Sequence, residues 1–373
     1  MDKKSKFINL ILFVVTFITT TLAGAEWMFA RPVFFTNHPL TWNEITQGLY
    51  FSIPFLAILT VHEFGHYVVA QFYRVKVTLP YYIPFWFFGI IPSIGTMGAF
   101  IRIRGGITSR KEYFDIGIAG PLAGFVLALG VLYYGFTHLP SPEYIFTIHP
   151  EYKQYGLSYA EHVYKNIEGG TVALGKNILF LFFERVIVSD PSLIPNAYEM
   201  MHYPWLFAGF LALFFTALNL MPIGQLDGGH ILYGLLGGKN HRIISPFLFM
   251  LFVGYAGLGM VTPFDDVDTI LWNAPFYLVF LYFLFSRVFR QTRNAVLMAV
   301  LIFTIQFLIS YISPGIKGYQ GWLLFAFLLG RVLGVYHPPV LYDTPLDWKR
   351  KLLGWISLII FVLCFTPTPF ITD

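Results

Sequence analysis

The stretch of the chain with the clearest chemical potential is His62-Glu63-Phe64-Gly65-His66, late in a long apolar run. On a helix, side chains four positions apart project from one face, so the two imidazoles can bind the same metal ion. Glu63 is then placed to accept a proton from a water molecule at that metal. The pattern therefore indicates metal-assisted hydrolysis of the kind that zinc metalloproteases perform.

A motif this short can also arise by chance. Against that alternative, His62, Glu63 and His66 interrupt a run that is otherwise apolar. A charged side chain at the middle of a membrane-spanning helix costs roughly 2.5–3.5 kcal/mol even on the most lenient insertion scale. Three ionisable groups within five residues are therefore expected to be there for a function.

A catalytic zinc site usually has three protein ligands and one open position. The only cysteine, Cys364, lies in the last apolar run, so the third ligand is expected to be His, Asp or Glu. Asp227 fits best, because the predicted topology brings it to the same membrane side as His66. It follows a proline and a glycine that break the preceding helix, and two glycines follow it. The alternative is that Asp227 caps a short helix over 229–237.

The composition indicates that the protein folds within a lipid bilayer. Of 373 residues, 56% are hydrophobic and 12% are charged, against roughly 25% charged in ordinary soluble domains. We predict an all-α polytopic membrane protein of about nine transmembrane helices, with a small membrane-associated β element near the site. The predicted spans are 7–24, 48–70, 113–136, 203–222, 244–262, 274–287, 295–312, 320–336 and 352–367.

The basic residues give an orientation. With a cytoplasmic N-terminus, 17 of the 24 fall on the cytoplasmic side and 6 on the other, while Arg331 lies inside a predicted span. The site then lies near the cytoplasmic side, and a bacterial inner membrane is the expected location. The alternative for residues 1–24 is a cleaved signal peptide, although their apolar run is longer than a usual signal core. A net charge of +4 gives no reason to expect nucleic-acid binding.

Two segments are not predicted to span the membrane. Residues 75–106 alternate β-branched and other residues around Val75–Thr78 and Gly95–Arg104, which predicts short strands. Residues 137–202 form the longest polar stretch. Within it, 172–188 is predicted to be an apolar helix that lies at the membrane interface or dips into the membrane.

The chain resembles the site-2 protease family of intramembrane zinc metalloproteases, peptidase family M50. The likeness rests on the zinc motif, on Gly117–Gly124, and on an asparagine–proline–aspartate–glycine pattern matched by Asn219, Pro222, Asp227 and Gly228. It implies one zinc ion per chain with His62, His66 and Asp227 as ligands and Glu63 as the base. It also implies that Asn219 binds the substrate backbone or the oxyanion. The alternative for Asn219 is a hydrogen bond between helices.

The strand region around Gly95 and Gly98 resembles the part of the family that offers an edge to extended substrate. The two glycines are predicted to let a substrate backbone approach, or else to serve as turn residues. His230 and Asp115 are expected to support ligands or cap helices, and His202 is expected to be a solvated loop residue. The expected partners are the lipid bilayer and proteins with transmembrane helices.

The predicted organisation has three parts. Residues 1–47 hold the first helix and an extracytoplasmic loop, 48–238 the protease core, and 239–373 accessory transmembrane helices. PDZ or CBS domains, which some relatives carry, have no evident room. The predicted function is hydrolysis of peptide bonds in transmembrane segments. The alternatives are a catalytically silent binder of the same fold and, third, a metal transporter, for which Arg331 inside a span would be suited.

Overall fold

The computed structural model describes residues 3–165 and 172–372. The chain divides into two compact units. The first comprises the residues up to Ile107, Ala119–Leu218 and the residues from Ile360; the second comprises Thr108–Ile118 and Asn219–Ile359. Residues 1–2, 166–171 and 373, which belong to the predicted segments 1–47, 137–202 and 239–373, lie outside the described residues. The predicted three-part organisation stays a prediction.

The chain is mainly helical. In chain order, the first eight α-helices are α1 (Lys3–Phe29), α2 (Trp42–Gln47), α3 (Leu49–Phe72), α4 (Arg110–Thr137), α5 (Ile145–Ile148), α6 (Tyr159–Val163), α7 (Ile178–Val186) and α8 (Pro204–Leu220). The strands are β1 (Tyr81–Phe85), β2 (Gly95–Phe100), β3 (Val172–Leu174) and β4 (Phe370–Thr372). β1 pairs with β2, and β3 pairs with β4, both antiparallel.

Within the first unit, α1 and α3 approach closely because small residues lie where they meet. A Cβ added to Gly24 would lie 2.7 Å from the Cδ1 atom of Phe51. The hydroxyl groups of Thr21 and Ser52 share a hydrogen bond of 2.8 Å across the same contact. Small residues with occasional hydroxyl pairs are how helices associate where there is no hydrophobic driving force between them.

The β1–β2 hairpin packs along α1. The Thr19 hydroxyl donates to the Gly95 carbonyl at 2.7 Å, and the Asn9 amide donates to the Leu79 carbonyl at 2.8 Å. The strand predicted around Gly95 is present over Gly95–Phe100. Farther along, Val77 and Ile103 form one isolated antiparallel bridge.

The segment predicted as a helix over 172–188 divides into two elements. Ile178–Val186 is helical, and the Asn177 side chain accepts a hydrogen bond from the Phe180 amide at its start. The prediction is wrong over Val172–Leu174, which pairs with Phe370–Thr372 as a strand. A strand partner almost 200 residues away satisfies the backbone there, which local periodicity does not reveal.

The second unit contains α9 (Asp227–Ala256), α10 (Val267–Phe285), α11 (Thr292–Ile312), α12 (Gly321–Leu328) and a π-helical turn over Leu329–Leu333. It also contains the part of α13 (Trp348–Cys364) up to Ile359. Gly237 breaks the helical conformation of α9 with φ of +78°. Gln306 joins three helices: it accepts from the Tyr277 hydroxyl at 3.0 Å and donates to the Val253 carbonyl at 3.1 Å. A buried amide must find such partners, since an unpaired one is costly in an apolar surrounding.

Five helical segments within the described residues are long and apolar enough to cross a membrane. Two other apolar helices, Pro204–Leu220 and Gly321–Leu333, are shorter. The helical class and the small sheets are confirmed, whereas the number of nine spans is not. The five are Ser5–Phe29, Trp42–Phe72, Arg110–Thr137, Val267–Phe285 and Thr292–Ile312.

The contact of the hairpin with α1 makes a stability prediction. Gly95 has φ of +81°, and an added Cβ would meet the backbone of Thr19 and Thr20. We expect Gly95→Ala to lower the midpoint of thermal unfolding in detergent, because both strain and overlap oppose it. Gly130→Ala is the control, since no heavy atom lies within 4 Å of a Cβ added there. Equal midpoints for the two variants would contradict this packing.

Candidate metal centre

The zinc motif predicted from the sequence lies in the second half of α3. His62, Glu63 and His66 are 7%, 5% and 7% exposed, so all three ionisable side chains are buried. They lie on a helix that is otherwise apolar, and no residue between them interrupts its hydrogen bonding. Burial of this kind is costly for charged groups unless they pair with each other or bind an ion.

The imidazole rings of His62 and His66 point their Nε2 atoms toward each other, and these are the atoms that could bind a metal. The Nε2 atoms of His62 and His66 are 3.1 Å apart, and the rings are nearly perpendicular at 74°. The Glu63 carboxylate lies beside them, with Oε1 3.9 Å from Nε2 of His62. The i, i+4 spacing therefore brings the two imidazoles together on one face of the helix, as the sequence predicted.

These distances fit zinc. With Zn–N bonds of 2.0–2.1 Å and tetrahedral angles, two histidine nitrogens on one zinc ion lie about 3.3 Å apart. The separation of the His62 and His66 Nε2 atoms, 3.1 Å, is close to that value. Both side chains are also buried on one helix face, so little rotamer freedom would be lost on binding.

Two glycines of α4 make room for these rings. A Cβ built on Gly120 would overlap the imidazole of His66, and one built on Gly124 would lie 3.1 Å from the Cβ of His62. Gly65 on α3 lets the backbone of α4 approach, because its added Cβ would lie 2.6 Å from the Ala119 carbonyl oxygen. The sequence alone assigned no individual role to Gly120 and Gly124, which lie in the family-like segment Gly117–Gly124, or to Gly65 in the zinc motif.

Asn219 and Asp227 belong to the second unit. Asp227 is the first residue of α9, and its N-cap position is held by Leu226, which makes no side-chain cap. Gly228 and Gly229 fold back so closely that added Cβ atoms would overlap the Leu220 and Gly224 carbonyl groups. The chain therefore turns tightly just before Asp227. That Asp227 binds the same metal ion as His62 and His66 stays a prediction.

Residues 50–260, more than half of the chain, match the model of peptidase family M50. This chain belongs to that family. Its predicted membership of the site-2 proteases is thereby confirmed.

Curated relatives of this chain carry names that describe them as probable zinc metalloproteases. The chain is 27% identical over 243 residues to "Probable zinc metalloprotease EGY2, chloroplastic" of Oryza sativa subsp. indica, covering 65% of this chain and 37% of that protein. It is 31% identical over 188 residues to the EGY1 protein of Oryza sativa subsp. japonica, covering 49% and 27%. The chain thus spans about a third of the length of the curated relatives it matches. No solved structure matches it.

Membership of M50 implies zinc as the cofactor of this chain, and the facing Nε2 atoms of α3 fit that metal. It also supports a protease embedded in a membrane, in agreement with the five apolar helices. The chloroplast in the relatives' names belongs to those proteins. For this M50 chain, a bacterial inner membrane and a cytoplasmic site stay predictions.

The two glycines predicted to bind substrate differ in their surroundings. Gly95 packs against the α1 backbone, so its space is already occupied. Gly98 has φ of +105°, and no heavy atom lies within 4 Å of a Cβ added to it. Met97 beside it is 61% exposed. Of the two, Gly98 is the position with open space on the strand.

In the second unit, the predicted supporting residues have definite partners. Asp115 is ion-paired with Arg350 at 2.8 Å. The His230 Nδ1 atom lies 2.9 Å from His337 Nε2, and the Nδ1 atom of His337 hydrogen-bonds the Pro338 carbonyl at 2.6 Å. Since that carbonyl can only accept, His337 accepts from His230. The sequence analysis missed His337, which lies 107 residues from its partner.

The prediction that His202 is a solvated loop residue is wrong. It is 3% exposed, and its Nδ1 atom lies 2.8 Å from the carbonyl oxygen of Met28, at the end of α1. A residue just before an apolar helix was expected to face water. The end of α1, 174 residues earlier, instead covers it.

The close fit of α4 on the histidines makes a prediction about metal binding. We expect Gly120→Ala to lower the zinc content of the purified protein and its affinity for zinc, because the added methyl group displaces the His66 ring. Zinc is measured by mass spectrometry after equilibration at fixed free zinc. The matched control is Gly130→Ala on the same helix, which should leave zinc unchanged. Unchanged zinc in Gly120→Ala would contradict the role of this glycine.

The His337 ring makes a prediction about pH. Burial lowers its pKa to about 4, while an unfolded histidine titrates near 6.5. Because the folded pKa is the lower one, the neutral ring stabilises the fold fully above pH 6.5, and this contribution is lost as pH falls toward 4. We expect the unfolding midpoint to decrease more steeply between pH 7 and 5 in wild type than in His337→Gln. The exposed His38→Gln should follow wild type, and parallel slopes for all three proteins would refute the prediction.

Proposed function

We propose that this chain is an intramembrane zinc metalloprotease that hydrolyses peptide bonds in transmembrane segments of membrane-protein substrates. The observation that carries the proposal is the arrangement on α3. Two buried imidazoles present their Nε2 atoms 3.1 Å apart, with a buried carboxylate beside them on an apolar helix. Membership of M50 supports the same chemistry.

Asp227 is proposed as the third ligand, with His62 and His66. The motif that it shares with Asn219 and Pro222 supports this assignment, as does its place directly after a tight glycine turn. Two nitrogens and one carboxylate oxygen leave a fourth position open, as a catalytic zinc site requires. A zinc ion held by these residues would supply Lewis acidity, which polarises a carbonyl group and lowers the pKa of a water molecule.

Glu63 is proposed as the proton carrier. Its carboxylate takes a proton from the attacking water and delivers it to the leaving amine when the C–N bond breaks. Because Glu63 follows His62 on α3, its carboxylate lies beside the proposed metal ligands. Its burial keeps bulk water away from the carboxylate. General acid–base catalysis of this type contributes about 10²–10⁴-fold to the rate.

The substrate must be extended before it can be cut, because a helix keeps its carbonyl groups in internal hydrogen bonds. The β1–β2 sheet has two strands, so each strand has one edge without a strand partner among the described residues. We propose that substrate adds to this sheet near Gly98, where there is open space. Gly95 is assigned to packing on α1. The Asn219 amide is proposed to donate to the substrate backbone or the oxyanion.

Two other functions make different predictions. A silent binder of the same fold would keep the zinc and lack turnover. A metal transporter would need a polar path, for which Arg331 was considered. Within the second unit, the Arg331 guanidinium donates to the Ser286 hydroxyl at 2.9 Å and lies over the Phe283 ring at 5.7 Å. Through these contacts the Arg331 side chain stabilises the π-helical turn. This structural role for Arg331 disfavours the transporter.

The decisive experiment compares wild type with Glu63→Gln on a model single-span substrate in detergent micelles. We expect the variant to lose at least about 10²-fold in cleavage rate while keeping the wild-type zinc content, because Gln preserves the shape and removes the base. Asp268→Asn is the control for loss of a carboxylate, since Asp268 is exposed in the first turn of α10.

Equal cleavage by wild type and Glu63→Gln would show that Glu63 is not the base. No cleavage by wild type at full zinc content, across substrates with Gly, Pro or Asn near the cut site, would favour the silent binder. Cleavage by wild type and by Asp268→Asn, without cleavage by Glu63→Gln, supports the proposal.

A further inference from the structure

A second group of metal-binding side chains lies in the first unit, away from α3. His149, Glu199 and His202 each offer one ligand atom, and these atoms all lie within 4.8 Å of one another. All three belong to the connection between α4 and α8, and we call them the loop triad. Helix α4 rises about 20 Å from Gly124, which packs on His62, to Thr137, where this connection begins.

His202 is oriented as a metal ligand. Its Nδ1 atom lies 2.8 Å from the Met28 carbonyl oxygen, which can only accept, so Nδ1 carries the proton. In the neutral ring, Nε2 therefore has a free lone pair. That Nε2 atom lies 3.2 Å from Glu199 Oε2 and 3.4 Å from His149 Nε2. An outer hydrogen bond that fixes the tautomer in this way is typical of histidines that bind metals.

His149 has the same arrangement. Its Nδ1 atom lies 3.1 Å from Glu151 Oε1, so a carboxylate orients the ring from the outside. Its Nε2 atom faces His202 Nε2 at 3.4 Å, close to the value of about 3.3 Å for two nitrogens on one tetrahedral zinc. Two facing lone pairs beside a carboxylate oxygen repel one another unless a cation lies between them. The His149 side chain is 20% exposed, which leaves a way in for an ion.

Glu199 supplies negative charge at a buried position. It is 1% exposed, and its Oε1 atom accepts a hydrogen bond from the Tyr164 hydroxyl. Because the Glu199 carboxylate oxygen can only accept, the Tyr164 hydroxyl is the donor. Among the described residues, the ion-pair partners of Glu199 are the two triad histidines, with no lysine or arginine. A buried carboxylate of this kind needs a compensating positive charge.

We propose that the loop triad is a second zinc site, bound by His149 Nε2, Glu199 Oε2 and His202 Nε2. Two imidazole nitrogens and one carboxylate oxygen are ligands that zinc prefers. The ion would link the loop after α4, through His149, to the start of α8, through His202, whose Nδ1 atom is hydrogen-bonded to the end of α1. A proton shared by the triad is the competing explanation, and the experiment below separates the two.

The test is zinc stoichiometry of the full chain in detergent, equilibrated with micromolar free Zn²⁺ and measured by mass spectrometry. We expect two zinc ions per chain in wild type and one each in His149→Ala and Glu199→Gln. Gln keeps an acceptor for the Tyr164 hydroxyl, so this second variant reports on zinc even where His149→Ala folds poorly. His66→Ala should also retain one zinc, which separates the two sites. His162→Ala, an exposed histidine of the same loop, should retain two.

A second readout is zinc-dependent stability. Added Zn²⁺ should raise the unfolding midpoint of His66→Ala, where only the loop triad remains, and should not raise that of the double variant His66→Ala with Glu199→Gln. One zinc in wild type together with none in His66→Ala would overturn the proposal and favour the shared proton. Two zinc ions retained in both His149→Ala and Glu199→Gln would also overturn it. Failure of the proposed protease function would leave the result of this test unchanged.

Discussion

The close contact of α3 with α4 is the constraint on which the first unit depends. Two imidazoles and a carboxylate are buried on an apolar helix, and they fit there because Gly120 and Gly124 have no side chains. Helices in lipid associate through such small residues, since apolar surfaces gain little from leaving apolar solvent. The same absence of Cβ atoms that permits helix packing therefore also leaves room for the side chains of His62 and His66.

Buried polar groups in both units are held by specific hydrogen-bond partners. In the second unit, Gln306 binds Tyr277 and the Val253 carbonyl, and Arg331 binds Ser286. In the first unit, Thr19 and Asn9 satisfy carbonyl groups of the hairpin segment. These bonds are modest individually, but an unpaired group would cost about 1–3 kcal/mol. They fix where the hairpin and the kinked helices lie.

Two histidine pairs in the first unit use this constraint differently. His62 and His66 are four residues apart on one helix, so their spacing alone brings their Nε2 atoms together. His149 and His202 are 53 residues apart, and their Nε2 atoms meet because the chain between α4 and α8 folds back on the end of α1. In the second pair, backbone and carboxylate acceptors hold the Nδ1 atoms. The first pair is brought together by the geometry of one helix, and the second by tertiary packing.

Local sequence was sufficient where the physical signal is local. Apolar runs predicted helices because the lipid-facing backbone must bond internally, and the i, i+4 histidines predicted their own proximity. The motif likewise identified the family. Tertiary structure decided what depends on distant partners: the strand Val172–Leu174, which needs Phe370–Thr372, the burial of His202 beneath Met28, and the packing of Gly95 against the backbone of α1. A side chain's type and spacing determine what it can bind, whereas its neighbours across the fold determine whether water or protein surrounds it.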